Sequence, residues 1–169
     1  FVMVSYGGDI LTSSDGISWT SRTSGTTNKL YGVNYTNNQF VAVGDNGTIL
    51  TSSDGISWDN RTIAGQSNYL YHVAYGNNKY VAVGGNGWIV TSSDGISWDN
   101  ATSGTTKILT QITYGNSTFV VTGREGTILT STDGTSWDNR TSGTTEHLYG
   151  LTYGNSKFVA TGYSGTILT

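Results

Sequence analysis

One string governs this chain: Thr51 to Trp58 reads TSSDGISW, the same eight residues recur at 12–19 and 91–98, and TSTDGTSW follows at 130–137. Trp19, Trp58, Trp98 and Trp137 are therefore 39, 40 and 39 residues apart. A second marker, an aromatic residue leading into a Gly-x-x-Gly turn, keeps the same rhythm: FVAVGDNG at 40, YVAVGGNG at 80, FVVTGREG at 119, FVATGYSG at 158 and a looser FVMVSYGG at 1. The third is LYGVNY at 30–35, echoed from Leu70, Leu109 and Leu148. Three markers in one fixed order require a repeat architecture, in which each unit buries its apolar face only by stacking on copies of itself.

Inside each unit, β-branched and aromatic residues alternate with small ones, and Gly, Asn and Asp interrupt them every few residues, which reads as short strands joined by tight turns. The first strand is Leu-Tyr-Gly-Val-Asn-Tyr and the second Phe-Val-Ala-Val. Thr-Ile-Leu-Thr makes the third, and Ile-Ser-Trp with the polar residues after it the fourth. Only the link from the fourth strand to the next unit is long, as in Ser24-Gly25-Thr26-Thr27-Asn28-Lys29. Three tight turns followed by one crossover is the layout of a β-propeller blade. A helical solenoid is excluded by the missing 3.6-residue period and by 24 glycines; a parallel β-helix is the weaker alternative, since its strands would not be joined by two-residue hairpin signals. The expected fold is all-β, a propeller of four to five four-stranded antiparallel blades. Its repeat units are 1–29 (partial), 30–69, 70–108, 109–147 and 148–169 (partial), forming one domain or a segment of a longer array.

Composition explains itself once the period is seen. Gly, Ser, Thr and Asn supply half the chain, yet aromatic residues reach 12%, a share that disordered linkers lack. Charged residues are 11% and the net charge is −3, so neither a nucleic-acid backbone nor membrane insertion is an expected partner. There is no cysteine, which removes disulfides, thiolate metal sites and cysteine nucleophiles together. The chain starts at Phe1 rather than Met, so a processed product or a segment is expected, with an extracellular or cell-surface location.

The Asp-Gly-x-Ser-Trp motif resembles the Asp-box, or BNR, repeat of sialidases and of many other propellers, including photosystem II assembly-factor-like proteins. The likeness covers nearly the whole chain, in a form one residue shorter than the commonest Asp-box. It implies that Asp15, Trp19, Asp54, Trp58, Asp94, Trp98, Asp133 and Trp137 are structural, lying in the turn between third and fourth strands on the face away from any active site. The residues agree: each carboxylate can accept backbone N–H groups of its own turn, with Ser or Thr hydroxyls assisting, and each Trp is sized to pack between blades.

Sialidase chemistry would require three converging arginines, a tyrosine–glutamate pair and an acid/base aspartate. Arg22, Arg61 and Arg140 instead occupy one repeat slot, and Arg124 alone is unique. His72 and His147 fall in different blades and complete no ligand set. No enzyme, cofactor or metal is expected. Function should sit where the copies disagree, and the turns between second and third strands vary most. The candidate binding residues are therefore Tyr6, Asp45, Trp88, Arg124, Glu125 and Tyr163, suited to stacking on and hydrogen-bonding a peptide or a sugar. Six sequons, at Asn34, Asn46, Asn60, Asn100, Asn116 and Asn139, are possible glycosylation sites. Residues 158–169 repeat 1–12, which leaves incomplete terminal blades and an unpaired sheet edge, a template for adding another chain. The expected function is a structural or interaction propeller, assembling end to end through its terminal strands into a filament or surface layer, or docking another protein. A lectin-like glycan binder is the alternative, and a sialidase-like glycosidase the remote one.

Overall fold

Pairs of residues that tolerate a left-handed backbone set the hairpins. Asn37-Asn38, Asn77-Asn78, Asn116-Ser117 and Asn155-Ser156 all take φ between 45° and 60°, as a two-residue turn matched to the twist of its strands demands. The computed structural model describes residues Phe1–Thr169. Its strands fall into five antiparallel sheets in chain order. The first holds β1 (Val2–Val4), β2 (Ile10–Thr12) and β3 (Thr20–Arg22). The second holds β4 (Leu30–Thr36), β5 (Gln39–Gly44), β6 (Ile49–Ser52) and β7 (Asp59–Asn60). The third holds β8 (Leu70–Gly76), β9 (Lys79–Gly84), β10 (Ile89–Ser92) and β11 (Asp99–Ala101). The fourth holds β12 (Leu109–Gly115), β13 (Thr118–Gly123), β14 (Ile128–Ser131) and β15 (Asp138–Arg140). The fifth holds β16 (Leu148–Gly154), β17 (Lys157–Gly162) and β18 (Ile167–Leu168). Every ladder joins strands adjacent in sequence.

The fourth strand of each sheet differs from the expectation. It begins only after the tryptophan, as in Asp59–Asn60 and Asp138–Arg140. Ile-Ser-Trp belongs to the turn, because the Asp carboxylate has already taken the backbone N–H groups that a ladder would use.

Side chains from neighbouring sheets interlock. Val41, Val43 and Ile49 of the second sheet form one buried cluster with Leu70, Val73, Tyr80, Ala82 and Val90 of the third. Ala74, Val81, Val83 and Ile89 of the third do the same with Leu109, Ile112, Phe119, Val121 and Leu129 of the fourth. Ile10 joins Leu30, Ala42 and Leu50 across the first boundary. Trp58, Trp98 and Trp137 cap these clusters half-buried, each tilted against the aromatic at the second position of its own second strand: Phe40, Tyr80 and Phe119. A further lock sits at the end of the first strands. A Cβ built on Gly76 or Gly115 would fall inside the ring of Tyr114 or Tyr153 from the following sheet.

Candidate functional site

The turn carrying the repeated aspartate is built alike in every copy. Asp54 Oδ1 accepts N–H from Ile56 (2.7 Å) and Ser57 (2.9 Å) and the Ser52 hydroxyl (3.0 Å), while Ser52 Oγ accepts Gly55 N–H (2.8 Å). Asp15, Asp94 and Asp133 repeat the pattern. These N–H donors hold all four carboxyls below the usual carboxylate range. A depressed folded pKa contributes stability that is fully present above the ordinary value of about 3.9 and is lost progressively as pH falls from there through the lower folded value. The urea midpoint is therefore expected to fall as pH drops below about 5, more steeply in the parent than in Asp54→Asn/Asp94→Asn; equal slopes would show the turns to be energetically idle.

At the opposite ends of the sheets a cavity of about 550 Å³ opens between the first strands. Each first strand from the second sheet onward carries a register shift at its second residue, Tyr31, Tyr71, Thr110 or Tyr149. Such a bulge sets two residues against one and re-aims a side chain. These four residues line the cavity with Tyr6, Lys29, His72, Gln111 and Arg124, so all five sheets contribute to it.

Tyrosine dominates the walls. The rings of Tyr6 and Tyr31 stand 5.5 Å apart edge to face, and Tyr31 and Tyr71 are 5.0 Å apart. Across the site, Tyr149 and Tyr163 are 5.0 Å apart, with His147 beside them. The Tyr31 hydroxyl donates to Asp45 Oδ1 at 2.6 Å; burial, then this bond, raises its pKa. Burial raises Tyr71 and lowers His72. The ion pairs of the chain are Arg61–Asp59, Lys107–Glu125 and Arg140–Asp138. Arg124 is exposed and belongs to none of them. Lys29 lies 5.9 Å from the Tyr6 ring centroid. The concavity of an acidic chain thus carries unpaired cations among aromatic faces.

No family model and no curated protein matches the chain. Solved structures match its shape. YCF48 from Cyanidioschyzon merolae superposes with a TM-score of 0.71 over 98% of this chain and 64% of its own, at 16% identity. A structure of YCF48 bound to D1 peptide gives 0.67 over 82% and 48%, at 20% identity. The WD40 β-propeller domain of Doa1 gives 0.72 over 99% and 63%, at 13% identity. The fold is a β-propeller. At these identities the likeness is one of fold alone, and the chain spans less than two thirds of the YCF48 and Doa1 chains.

The propeller gathers some of the expected residues and scatters others. Tyr6 and Arg124 line the cavity, Tyr163 packs against its Tyr149, and Asp45 reaches it through Tyr31. Glu125 turns aside, pairing with Lys107 while its N–H donates to His147 Nδ1 (3.0 Å). Trp88 is elsewhere. It packs half-buried against the cluster between second and third sheets, its Nε1 donates to Asn100 Oδ1 (2.7 Å), and its ring lies against Gly47. The crossover there reads Ile63-Ala64-Gly65-Gln66 in place of Ser-Gly-Thr-Thr, and Ile63 packs on the same cluster. Trp88 fills that altered gap. Arg22 and Arg140 stand on the outermost strands and Arg61 just beyond one, so they do not converge with Arg124. No group of three or more His, Asp or Glu comes together in a metal-binding arrangement.

The sequons divide by what their amide nitrogens do. Asn34 Nδ2 donates to Val73 O across a sheet boundary (3.1 Å), and Asn46 Nδ2 donates to Asn28 Oδ1 (3.3 Å). Asn60, Asn100 and Asn139 share one exposed position on the outermost strands, and Asn116 is exposed in a hairpin turn.

Proposed function

We propose that this propeller is a non-enzymatic interaction module, acting outside the cell or at its surface, whose tyrosine-lined concavity docks a segment of a partner protein. One observation carries the reading: Arg124, without a carboxylate partner, stands among tyrosines brought together from successive sheets. Tyrosines present large contact area with little rotamer freedom to lose, and an unpaired guanidinium beside them favours an anionic group. That YCF48, of the same fold, has been captured with a peptide supports the reading by analogy.

The test is selection of peptides from a displayed random library on the full chain. Selected peptides are expected to be rich in acidic residues and to lose about tenfold or more in affinity with Tyr71→Ala or Arg124→Gln. Trp88→Ala, outside the cavity, should leave affinity unchanged once folding is confirmed. Equal affinity for all variants would overturn the assignment. Hits on a glycan array that vanish with Tyr71→Ala would replace it with the lectin-like reading.

End-to-end assembly is a second reading, motivated by the outward faces of the first and fifth sheets, where Met3 and Ile167 are 45% and 68% exposed. Sedimentation velocity over a concentration series checks it. Growth of higher species supports assembly, and a single monomer species at all concentrations removes it.

A further inference from the structure

Each sheet's strands alternate in direction, so the aspartate turns and the Asn-rich hairpins share the end of the molecule opposite the tyrosine cavity. Contacts agree, since Asn77 Nδ2 of one sheet donates to Thr132 O in the aspartate turn of the next (3.0 Å). The residue after Asp-Gly is Ile17, Ile56 and Ile96 in the first three copies and Thr135 in the fourth.

The turn does not need the isoleucine. Its backbone N–H bonds to the aspartate at 2.8, 2.7 and 2.7 Å in the Ile copies and at 2.7 Å with Thr135. Nor does the core use it, for Ile17, Ile56 and Ile96 are 85%, 50% and 54% exposed. A single exposed apolar residue needs no explanation, whereas three at one repeat position on consecutive sheets form a row.

Two further features say what the row fits. A groove of about 390 Å³ runs between the first two aspartate turns, with Val2, Phe40 and Ile56 among its lining and Asp54 and Arg22 at its sides. Arg22 Nε donates to Thr12 Oγ1 (2.9 Å), so the one basic side chain at the groove is held to the strand beside it while the carboxylates of Asp15, Asp54 and Asp94 recur along the face. Beside each Ile stands an aspartate whose Oδ1 is taken up by the turn and whose depressed pKa keeps it ionised, leaving Oδ2 open to a partner. At the fourth turn, the copy that carries threonine, a basic side chain of the preceding sheet already lies close by: Lys79, at Gly134. Apolar tips flanked by carboxylates match an extended segment that alternates apolar and basic side chains.

We propose that this face is a second docking surface, separate from the tyrosine cavity, which receives a basic, apolar segment of a partner protein along Ile17, Ile56 and Ile96.

The probe is a short peptide of alternating lysine and leucine, titrated into the isotopically labelled full chain by NMR, beside a glutamate–leucine peptide. The lysine peptide is expected to shift the amides of 15–18, 54–57 and 94–97, to leave those around Tyr71 and Arg124 in place, and to weaken as salt rises. The triple variant Ile17→Thr/Ile56→Thr/Ile96→Thr adopts the residue of the fourth copy, so it should keep the parent melting temperature and lose about tenfold or more in affinity. Shifts confined to the tyrosine cavity, unchanged binding by the triple variant, or equal binding of the glutamate peptide each overturn the proposal. So does concentration-dependent dimerisation that the triple variant abolishes, since the occupant would then be a second copy. Because the cavity variants are not used, failure here leaves the cavity reading standing.

Discussion

Phe119→Ala is expected to lower stability by about 3–5 kcal/mol, the range for removing a large, fully buried aromatic. Phe119 is 0% exposed, held between Tyr114 and Trp137 in the cluster joining the third and fourth sheets. Phe158 holds the same repeat position in the fifth sheet, also against a tyrosine, Tyr153, but it is only partly buried. Phe158→Ala should therefore cost less than half as much. Urea titrations of the two variants compare the same chemistry in two environments. If the costs match, burial between sheets is not what stabilises this residue.

Gly115→Ala and Gly76→Ala come next, with an expected loss of about 1–3 kcal/mol or more each. The added methyl would have to displace the ring of Tyr153 or Tyr114, which packs against Phe158 or Phe119 at 4.7 Å between centroids. Backbone strain plays no part, since neither glycine has a positive φ. Gly154 supplies the control. It ends the first strand of the fifth sheet in the same way, and a Cβ there meets nothing within 4 Å. Gly154→Ala should change stability by less than about 0.5 kcal/mol, and a large effect there would mean that backbone freedom, not the tyrosine seat, sets the response.

The fold was legible in the sequence because turn chemistry and period point the same way. Asn-Asn and Asn-Ser pairs, glycines after the aspartates and a tryptophan every 39 or 40 residues each restrict the backbone locally, so pattern alone yields sheets of short antiparallel strands. The cavity was only half legible. Searching for disagreement among copies found Tyr6, Arg124 and Tyr163, which lie in variable turns. It passed over Tyr31, Tyr71 and Tyr149, because a shared Leu-Tyr pair reads as ordinary strand. What directs these tyrosines inward is the bulge at their own position, and no spacing rule announces a bulge of this kind. A partial signal existed, since Thr110 stands in the tyrosine slot of the same unit that carries the unique Arg124. Trp88 stands outside the cavity for a related reason: it packs on the same cluster as Ile63 of the changed crossover, and a comparison of aligned repeat positions does not see that neighbour.

Because every hydrogen-bonded ladder joins strands that follow one another in sequence, no main-chain bonding in the sheets holds one to the next. Each sheet can form from hairpins of neighbouring strands, whereas the packing of one sheet on the next joins residues a whole repeat apart and so closes longer loops. Energetically the molecule is then a row of units coupled to nearest neighbours chiefly by side chains, with a few main-chain bonds outside the ladders, such as Leu30 N–H to Ser5 O and Gly126 N–H to Glu146 O. Damage within one unit reaches those beside it and fades with each boundary crossed, so a site assembled from all five senses the weakest of them.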